Sequence, residues 1–266
     1  MVEPDEVAPD AAPAGAPDAA LAEYLQRLGD DRLVLGHRLS EWAGHGPILE
    51  EDIALANIAL DLIGQATMLL KLAGEVEGRG RSEDDLAYLR SDIAYRNVLL
   101  VELPRGDFAF TVVRQFLFGV AAFYQLDALQ KSTHPALAGI AAKAVKETRY
   151  HVRHAGEWVL RLGDGTAESH ARAQAAVDEL WRYTGELFLT DAMDATLVAA
   201  GLAPDAAAML EPWRTQVTDV LRRATLQLPA DVYMQRGGRT GRHTEHLGHM
   251  LAEMQIVARS HPGAEW

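Results

Sequence analysis

A chain of 266 residues that is 48% hydrophobic can bury one large core or two small ones. Its formal net charge of −13 repels phosphate backbones, so nucleic acid is excluded as an expected partner. No cysteine is present, which excludes disulfides and thiolate metal sites and is compatible with a reducing cytoplasm.

Residues 1–18 are rich in Ala, Pro and Asp and lack the basic-then-apolar order of a secretory signal. They read as a disordered tail, which leaves 19–266 as one domain. Ala and Leu dominate with few β-branched runs, so the domain is expected to be all-α. Leu21, Tyr24, Leu25, Leu28, Leu35, Leu39 and Trp42 recur at helical spacing from Ala19 to Gly44, with a break predicted near Gly29-Asp30-Asp31. Pro47 opens the next helix, Ile48 to Ala73, which is apolar almost all round. Ile53, Ala56, Leu60 and Ile63 mark one face of it; Leu55, Ile58, Leu62 and Leu69 mark another. One bundle cannot cover so much apolar surface, so part of it is expected to meet another subunit, with Leu55 and Leu62 as interface candidates.

Gly74 to Gly106 is a long connection whose second half, Asp84 to Leu103, reads as a short helix or a partly extended stretch. Asp107 suits an N-cap, and Phe108 to Ser132 is too long for the strand that Phe-Thr-Val-Val would favour. A further helix runs from Pro135 to Leu162 and stops at Gly163. Two helix pairs joined by one long crossover have the connectivity of a ferritin-like four-helix bundle. Additional helices are expected over Ser169–Leu189, Asp191–Ala200, Pro204–Thr225 and Thr244–Arg259. No run of about 18 consecutive apolar residues appears, so no membrane span is expected.

A di-iron carboxylate bundle needs Glu-x-x-His on each of two helices and one Glu from each of two others. The matching segments read Asp61-Leu62-Ile63-Gly64 and Glu147-Thr148-Arg149-Tyr150, so Gly64 and Tyr150 stand in the histidine slots. Asp61, Gly64, Glu147, Tyr150 and His151 are therefore read as vestigial metal positions, with no metal and no catalytic residue expected in this chain. The competing reading is an autonomous ferritin-like metalloprotein using Glu147 and His151, which share a helix face. A plain Glu–His hydrogen bond is the simpler account of that pair. His154, a further turn along, is expected to be exposed. Asn57, Asp61 and Gln65 form a polar stripe that is either a remnant of a ligand face or a hydrogen-bonded ladder. In the cluster His243, His246 and His249, the last two lie on one side of a helix near Glu253 but would need a third convergent ligand with second-shell support to hold a metal; capping by Thr244 and a histidine-rich packing surface are the simpler accounts. Arg236, Arg239 and Arg242 sit on a glycine-rich stretch that reads as an anion site or as an ordinary loop. No Gly-x-Ser-x-Gly, Gly-x-Gly-x-x-Gly or Walker A pattern is present.

Several strings together carry a family likeness. They are Leu33-Val-Leu-Gly-His-Arg-Leu-Ser-Glu-Trp42, Asp52-Ile-Ala-Leu-Ala-Asn-Ile-Ala-Leu-Asp-Leu-Ile-Gly-Gln-Ala66, Lys146-Glu-Thr-Arg-Tyr-His151, Leu180-Trp-Arg-Tyr-Thr-Gly-Glu-Leu-Phe188 and His243-Thr-Glu-His-Leu-Gly-His-Met-Leu-Ala-Glu-Met-Gln255. Over about residues 20–266 the chain resembles the C subunits of the bacterial phenylacetyl-CoA epoxidases of phenylacetate catabolism. The resemblance implies a structural, non-catalytic component of a multicomponent monooxygenase. In such a complex an A subunit holds the di-iron centre and epoxidises the ring of phenylacetyl-CoA with O2. A small B subunit bridges the pairs, and a reductase with FAD and an iron–sulfur cluster brings electrons from NADPH. The resemblance also implies that two stretches lie near the CoA ester: Tyr95, Arg96 and Asn97 in the crossover, and Asp194, Ala195, Thr196 and Leu197 after the fifth helix. Asn97 fits that pattern best and Arg96 departs from it.

Overall fold

The first helix, α1 (Ala16–Ser40), runs unbroken through Gly29-Asp30-Asp31. The computed structural model describes residues 16–230 and 233–264, with side chains from Asp18. The tail expected over 1–18 thus lies outside the described residues as far as residue 15, and 16–18 already belong to α1. The predicted break is absent because its three residues have tertiary uses. A Cβ on Gly29 would lie 2.7 Å from Leu70 Cδ2, so the glycine admits the next helix at close range. Asp30 and Asp31 are buried and face arginines from outside the helix.

Helix α2 (Leu49–Glu77) continues past Ala73 and ends where Gly78 adopts φ 69° and donates its N–H to Gly74 O. The crossover is part helical and part extended. It comprises α3 (Glu83–Tyr88), a 3-10 turn over Asp92–Ala94, extended backbone at Tyr95 and Val98, and α4 (Leu99–Glu102). A capping box of Ser82 and Asp85 starts α3. Helix α5 (Phe108–Leu129) begins at the Asp107 cap, whose Oδ1 accepts from Phe110 N at 2.9 Å. Helix α6 (Pro135–Gly163) has proline in its first turn, as its sequence predicts.

Four shorter helices complete the chain: α7 (Ala167–Trp181), α8 (Ala192–Ala199), α9 (Leu210–Arg223) and α10 (Glu245–Ser260). The seventh ends before the predicted Leu189, and Gly185–Phe188 forms a 3-10 turn instead. Among the described residues there is no strand.

Gly29 abuts Leu70 and Gly36 abuts Ile63, so α1 and α2 are antiparallel. Gly119 against Val152 and Gly156 against Phe116 make α5 and α6 a second antiparallel pair. The pairs meet along α2 and α6, in the ferritin-like arrangement. Outside the bundle, Trp181 stacks on Trp213 at 5.6 Å, and the Trp213 indole donates to Leu117 O at 2.9 Å, fastening α7 and α9 to α5. Gln255 of α10 donates to Ala87 O and Arg90 O, both at 3.0 Å, and fastens that helix over the crossover.

Among the described residues two helices, α2 and α5, are long and apolar enough to cross a bilayer by length and composition, although polar residues interrupt the apolar run in each. In α5 the apolar window is 83% buried within the chain, so its hydrophobicity serves the core. In α2 only 44% is buried. The interface candidates on α2 also need correction. Leu55 and Leu62 are 1% and 2% exposed and belong to the chain's own core. The outward apolar face is the other one, with Ile53 at 53% and Leu60 at 67% exposed.

Candidate functional site

Two sets of residues are open to a functional reading: the seam between α2 and α6, and the crossover with the loops around it.

At the seam, Asp61 Oδ2 lies 3.0 Å from His151 Nε2, Glu51 Oε2 lies 2.8 Å from His154 Nε2, and Gln65 Nε2 donates to Glu147 Oε2 at 2.9 Å. His151 is buried, and burial holds its imidazole below the usual histidine value against the pull of Asp61. Glu147 and His151 therefore turn to different partners on α2 and do not bond each other as the spacing suggested. His154, expected to be exposed, is half-buried against Glu51. The stripe Asn57, Asp61, Gln65 winds from the surface to the interior: Asn57 is exposed and Gln65 is buried.

The interior end of this seam is occupied by a cation. Arg32 of α1 is fully buried, donates Nε to Gln65 Oε1 at 3.1 Å and Nη1 to Leu28 O at 2.9 Å. Burial pulls its guanidinium down to about 10, still protonated at neutral pH. Gly64 and Tyr150, the residues in the histidine slots, face outward: a Cβ on Gly64 would meet nothing within 4 Å, and Tyr150 is 42% exposed. The i, i+3 register of a ligand motif is thus not the register that faces inward here. The interior positions are Gln65 on α2 and His151 on α6, with Asp61 and Glu147 half-buried beside them. Among the described residues no three His, Asp or Glu side chains converge as a metal site. Carboxamide and guanidinium groups do not suit two iron dications, which want several carboxylates and imidazoles.

The second set is held by four buried carboxylates that sequence reasoning missed: Asp30, Asp31, Glu102 and Glu186. Each fixes irregular backbone. Asp30 pairs with Arg90 and accepts from Arg96 N at 2.8 Å. Asp31 accepts from Val98 N at 2.8 Å and from both Nη atoms of Arg239, at 3.0 and 2.8 Å. Burial pushes the Asp31 carboxyl above the usual carboxylate range, with Arg239 pulling against it. Glu186 accepts from Leu99 N, Gly237 N and Arg239 N at 2.9, 2.9 and 3.2 Å. Glu102 accepts from Asn97 Nδ2, His243 Nδ1 and Thr244 N at 2.7, 2.7 and 2.6 Å. Glu102 is therefore the group that caps α10; the Thr244 side chain makes no cap bond. The available signal in the sequence was clearest for Glu102, a lone charge in the apolar run Val98-Leu-Leu-Val-Glu-Leu103.

The expected CoA-proximal residues separate in this framework. Tyr95, Asn97 and Leu197 are fully buried, Arg96 and Asp194 are half-buried, and Ala195 and Thr196 are exposed on α8. The Tyr95 hydroxyl donates to Ala87 O, with Arg90 4.3 Å above its ring. Arg96 folds back onto Ile93 O and Tyr95 O. Asp194 belongs to the capping box of Asp191 and to the ion pairs of Arg27, at 2.7 Å to Asp191 and 3.4 Å to Asp194. Arg239 Nη1 also donates to Arg27 O and Arg96 O, at 3.2 and 2.7 Å, so both stretches flank one turn of α1.

The arginine loop is not a free anion site at its centre, because Arg239 is committed to Asp31. A Cβ on Gly238 would lie 2.0 Å from Asn97 O, and one on Gly241 (φ 74°) 2.3 Å from Ile93 O. The glycines are there for close backbone approach. Of the C-terminal histidines, His243 turns inward to Glu102, and His249 and Glu253 are exposed.

An all-α bundle of two antiparallel helix pairs with a clamped crossover between them defines a ferritin-like fold. The chain belongs to the family described as phenylacetic acid catabolic protein, whose model matches residues 2–266. It is 46% identical over 246 residues to the C subunit of 1,2-phenylacetyl-CoA epoxidase from Escherichia coli (strain K12), a match that covers 92% of this chain and 99% of that protein.

Proposed function

We propose that this chain is the structural, non-catalytic subunit of a phenylacetyl-CoA epoxidase of phenylacetate catabolism. The observation that carries the reading is Arg32, a fully buried guanidinium bonded to Gln65, which in turn bonds Glu147. A cation at that place opposes bound dications by Coulomb repulsion in a medium that screens poorly. The 46% identity to the epoxidase relative supplies the pathway and substrate class. In this reading the di-iron centre belongs to a catalytic A subunit, a small B subunit bridges the pairs, and a reductase with FAD and an iron–sulfur cluster delivers electrons from NADPH, all in the cytoplasm. This chain supports the A subunit and contributes to the CoA-ester surface beside Tyr95–Asn97 and Asp194–Leu197.

The test is to purify the chain alone and with the A subunit and to measure iron content and complex size. The expected result is a chain free of stoichiometric iron that co-elutes with A. Two irons per isolated chain, or separate elution, would overturn the reading. A melting temperature of the complex that rises with phenylacetyl-CoA checks the CoA-ester surface by linkage.

A further inference from the structure

Helices α5, α6 and α9 leave an open groove between them, about 350 Å3 in volume. Its floor is apolar: Phe116 of α5, Val152, Gly156 and Leu160 of α6, and Val220 of α9. Gly156 adds no side chain to that floor, and a Cβ there would lie 3.3 Å from Phe116 Cε2. At one end stand Arg149 and Arg153, both exposed and one turn apart on α6. Neither has a carboxylate partner among the described residues, although the chain carries a net charge of −13. Their guanidiniums instead rest 5.7 and 5.5 Å from the centres of the Phe123 and Tyr150 rings. Contact with a ring steadies a guanidinium and leaves its N–H fork free for an anion. The other charges in the groove have partners: Glu157 lies 3.8 Å from Arg161, and Asp219 lies 3.6 Å from Arg223. Arg223 marks the far end, where α6 and α9 close on each other at Gly163 and Ala224.

We propose that this groove binds a small amphipathic carboxylate, an aryl or medium-chain alkyl acid. Its carboxylate would lie between Arg149 and Arg153 and its apolar body along Gly156 toward Leu160 and Val220. Two guanidiniums one turn apart suit the two oxygens of one carboxylate. Val152 to Leu160 covers about 12 Å at 1.5 Å per residue, room for a body of roughly eight carbons. A volume of 350 Å3 is at the small end for ligand pockets, so a coenzyme A ester with its nucleotide and phosphates does not fit it. Inorganic phosphate would pair with the arginines but leave the apolar floor in water. A peptide would lay backbone N–H and C=O groups on a floor whose one neutral polar neighbour is Gln216. The groove is made by this chain's own helices, so the site stands or falls independently of the subunit reading above.

The test titrates the full chain at low salt by isothermal titration calorimetry, with phenylacetate as the aryl probe and octanoate as the alkyl probe. Thermal melts confirm that each variant folds. At least one acid is expected to bind with a Kd on the order of 1 mM, as suits a ligand of about ten heavy atoms, and the tighter one identifies the body as aryl or alkyl. Phenylacetamide, which keeps the ring and loses the charge, and inorganic phosphate are each expected to bind at least about tenfold more weakly. Arg149→Gln/Arg153→Gln is expected to weaken the acid about tenfold or more. Gln216→Trp, which fills the groove, is expected to do the same with both arginines in place. A control with the same loss of charge elsewhere on the surface, Lys71→Gln/Arg182→Gln, is expected to bind like the parent. No saturable binding of either acid up to about 20 mM would overturn the site. So would phosphate binding as tightly as the acids, or full affinity retained in the double arginine variant.

Discussion

Replacing Glu102 by alanine tests whether buried carboxylates hold the crossover and the C-terminal helix together. Glu102 is 0% exposed and accepts three hydrogen bonds, from Asn97, His243 and Thr244. Asn97 is itself fully buried, and the His243 side chain is 4% exposed, so neither donor finds water when the carboxylate goes. A stranded buried donor costs roughly 1–3 kcal/mol. Stripping one partner from a buried charged pair costs about 3–5 kcal/mol. Thr244 is only half-buried and can turn toward solvent, so a loss of about 4 kcal/mol is expected, below the simple sum. With a urea slope of about 3 kcal/mol per molar, the midpoint falls by roughly 1.3 M. Urea unfolding followed by tryptophan fluorescence measures this, with exposed Glu253→Ala as the control. A midpoint within about 0.3 M of the parent, or no lower than the control, would refute the clamp.

The same pair has a pH signature. Burial works against the His243 imidazolium, but its bonds to Glu102 and Tyr95 O outweigh burial and hold it above the usual histidine value. A folded value above the unfolded one gives stability that is full below about pH 6.5 and is lost as pH rises through the folded value. Parent minus His243→Gln stability is therefore expected to shrink from pH 6 to pH 8.

Further outcomes follow from burial and register. Gly238→Ala forces a Cβ toward Asn97 O and is expected to lower stability by more than about 2 kcal/mol, read from the same urea curves. Leu62→Asp buries a carboxylate in the core and is expected to cost over about 4 kcal/mol, while Leu60→Asp on the exposed face stays within about 0.5 kcal/mol; equal effects would contradict the assigned faces. Gly64→His with Tyr150→His fills both histidine slots, as Asp61-x-x-His and Glu147-x-x-His, but in a register that faces outward, so elemental analysis should find no two-iron site. His151, held below its usual value by burial, makes the folded chain refuse a proton that the unfolded chain accepts. Stability should accordingly fall as pH drops below about 6.5, with a weaker slope in His151→Gln.

Helices α5 and α6 were legible in detail because their signals are local: the Asp107 cap, Pro135 in the first turn, and apolar residues at three and four. The missing histidines were legible too, since they are a matter of residue type. Which way those positions face was not. In α2 both apolar faces carry the same periodicity, and the structure turns the one with Leu55 and Leu62 into the chain's own core while Ile53 and Leu60 face outward.

The break predicted at Gly29-Asp30-Asp31 failed for a related reason. Local propensity penalises those residues in a helix, but Arg90 and Arg239, separated from them by 60 and 208 positions, supply the compensating bonds. By itself, the amino-acid order determined an all-α chain, its helix-pair connectivity and the absence of a di-iron ligand string, because these depend on spacing and residue type within a few turns. Only the tertiary structure decided that Arg32 occupies the bundle interior, that four carboxylates clamp the crossover, and that α2 presents Ile53 and Leu60 outward. Those outcomes depend on which distant segments become neighbours, and helical periodicity carries no information about that choice.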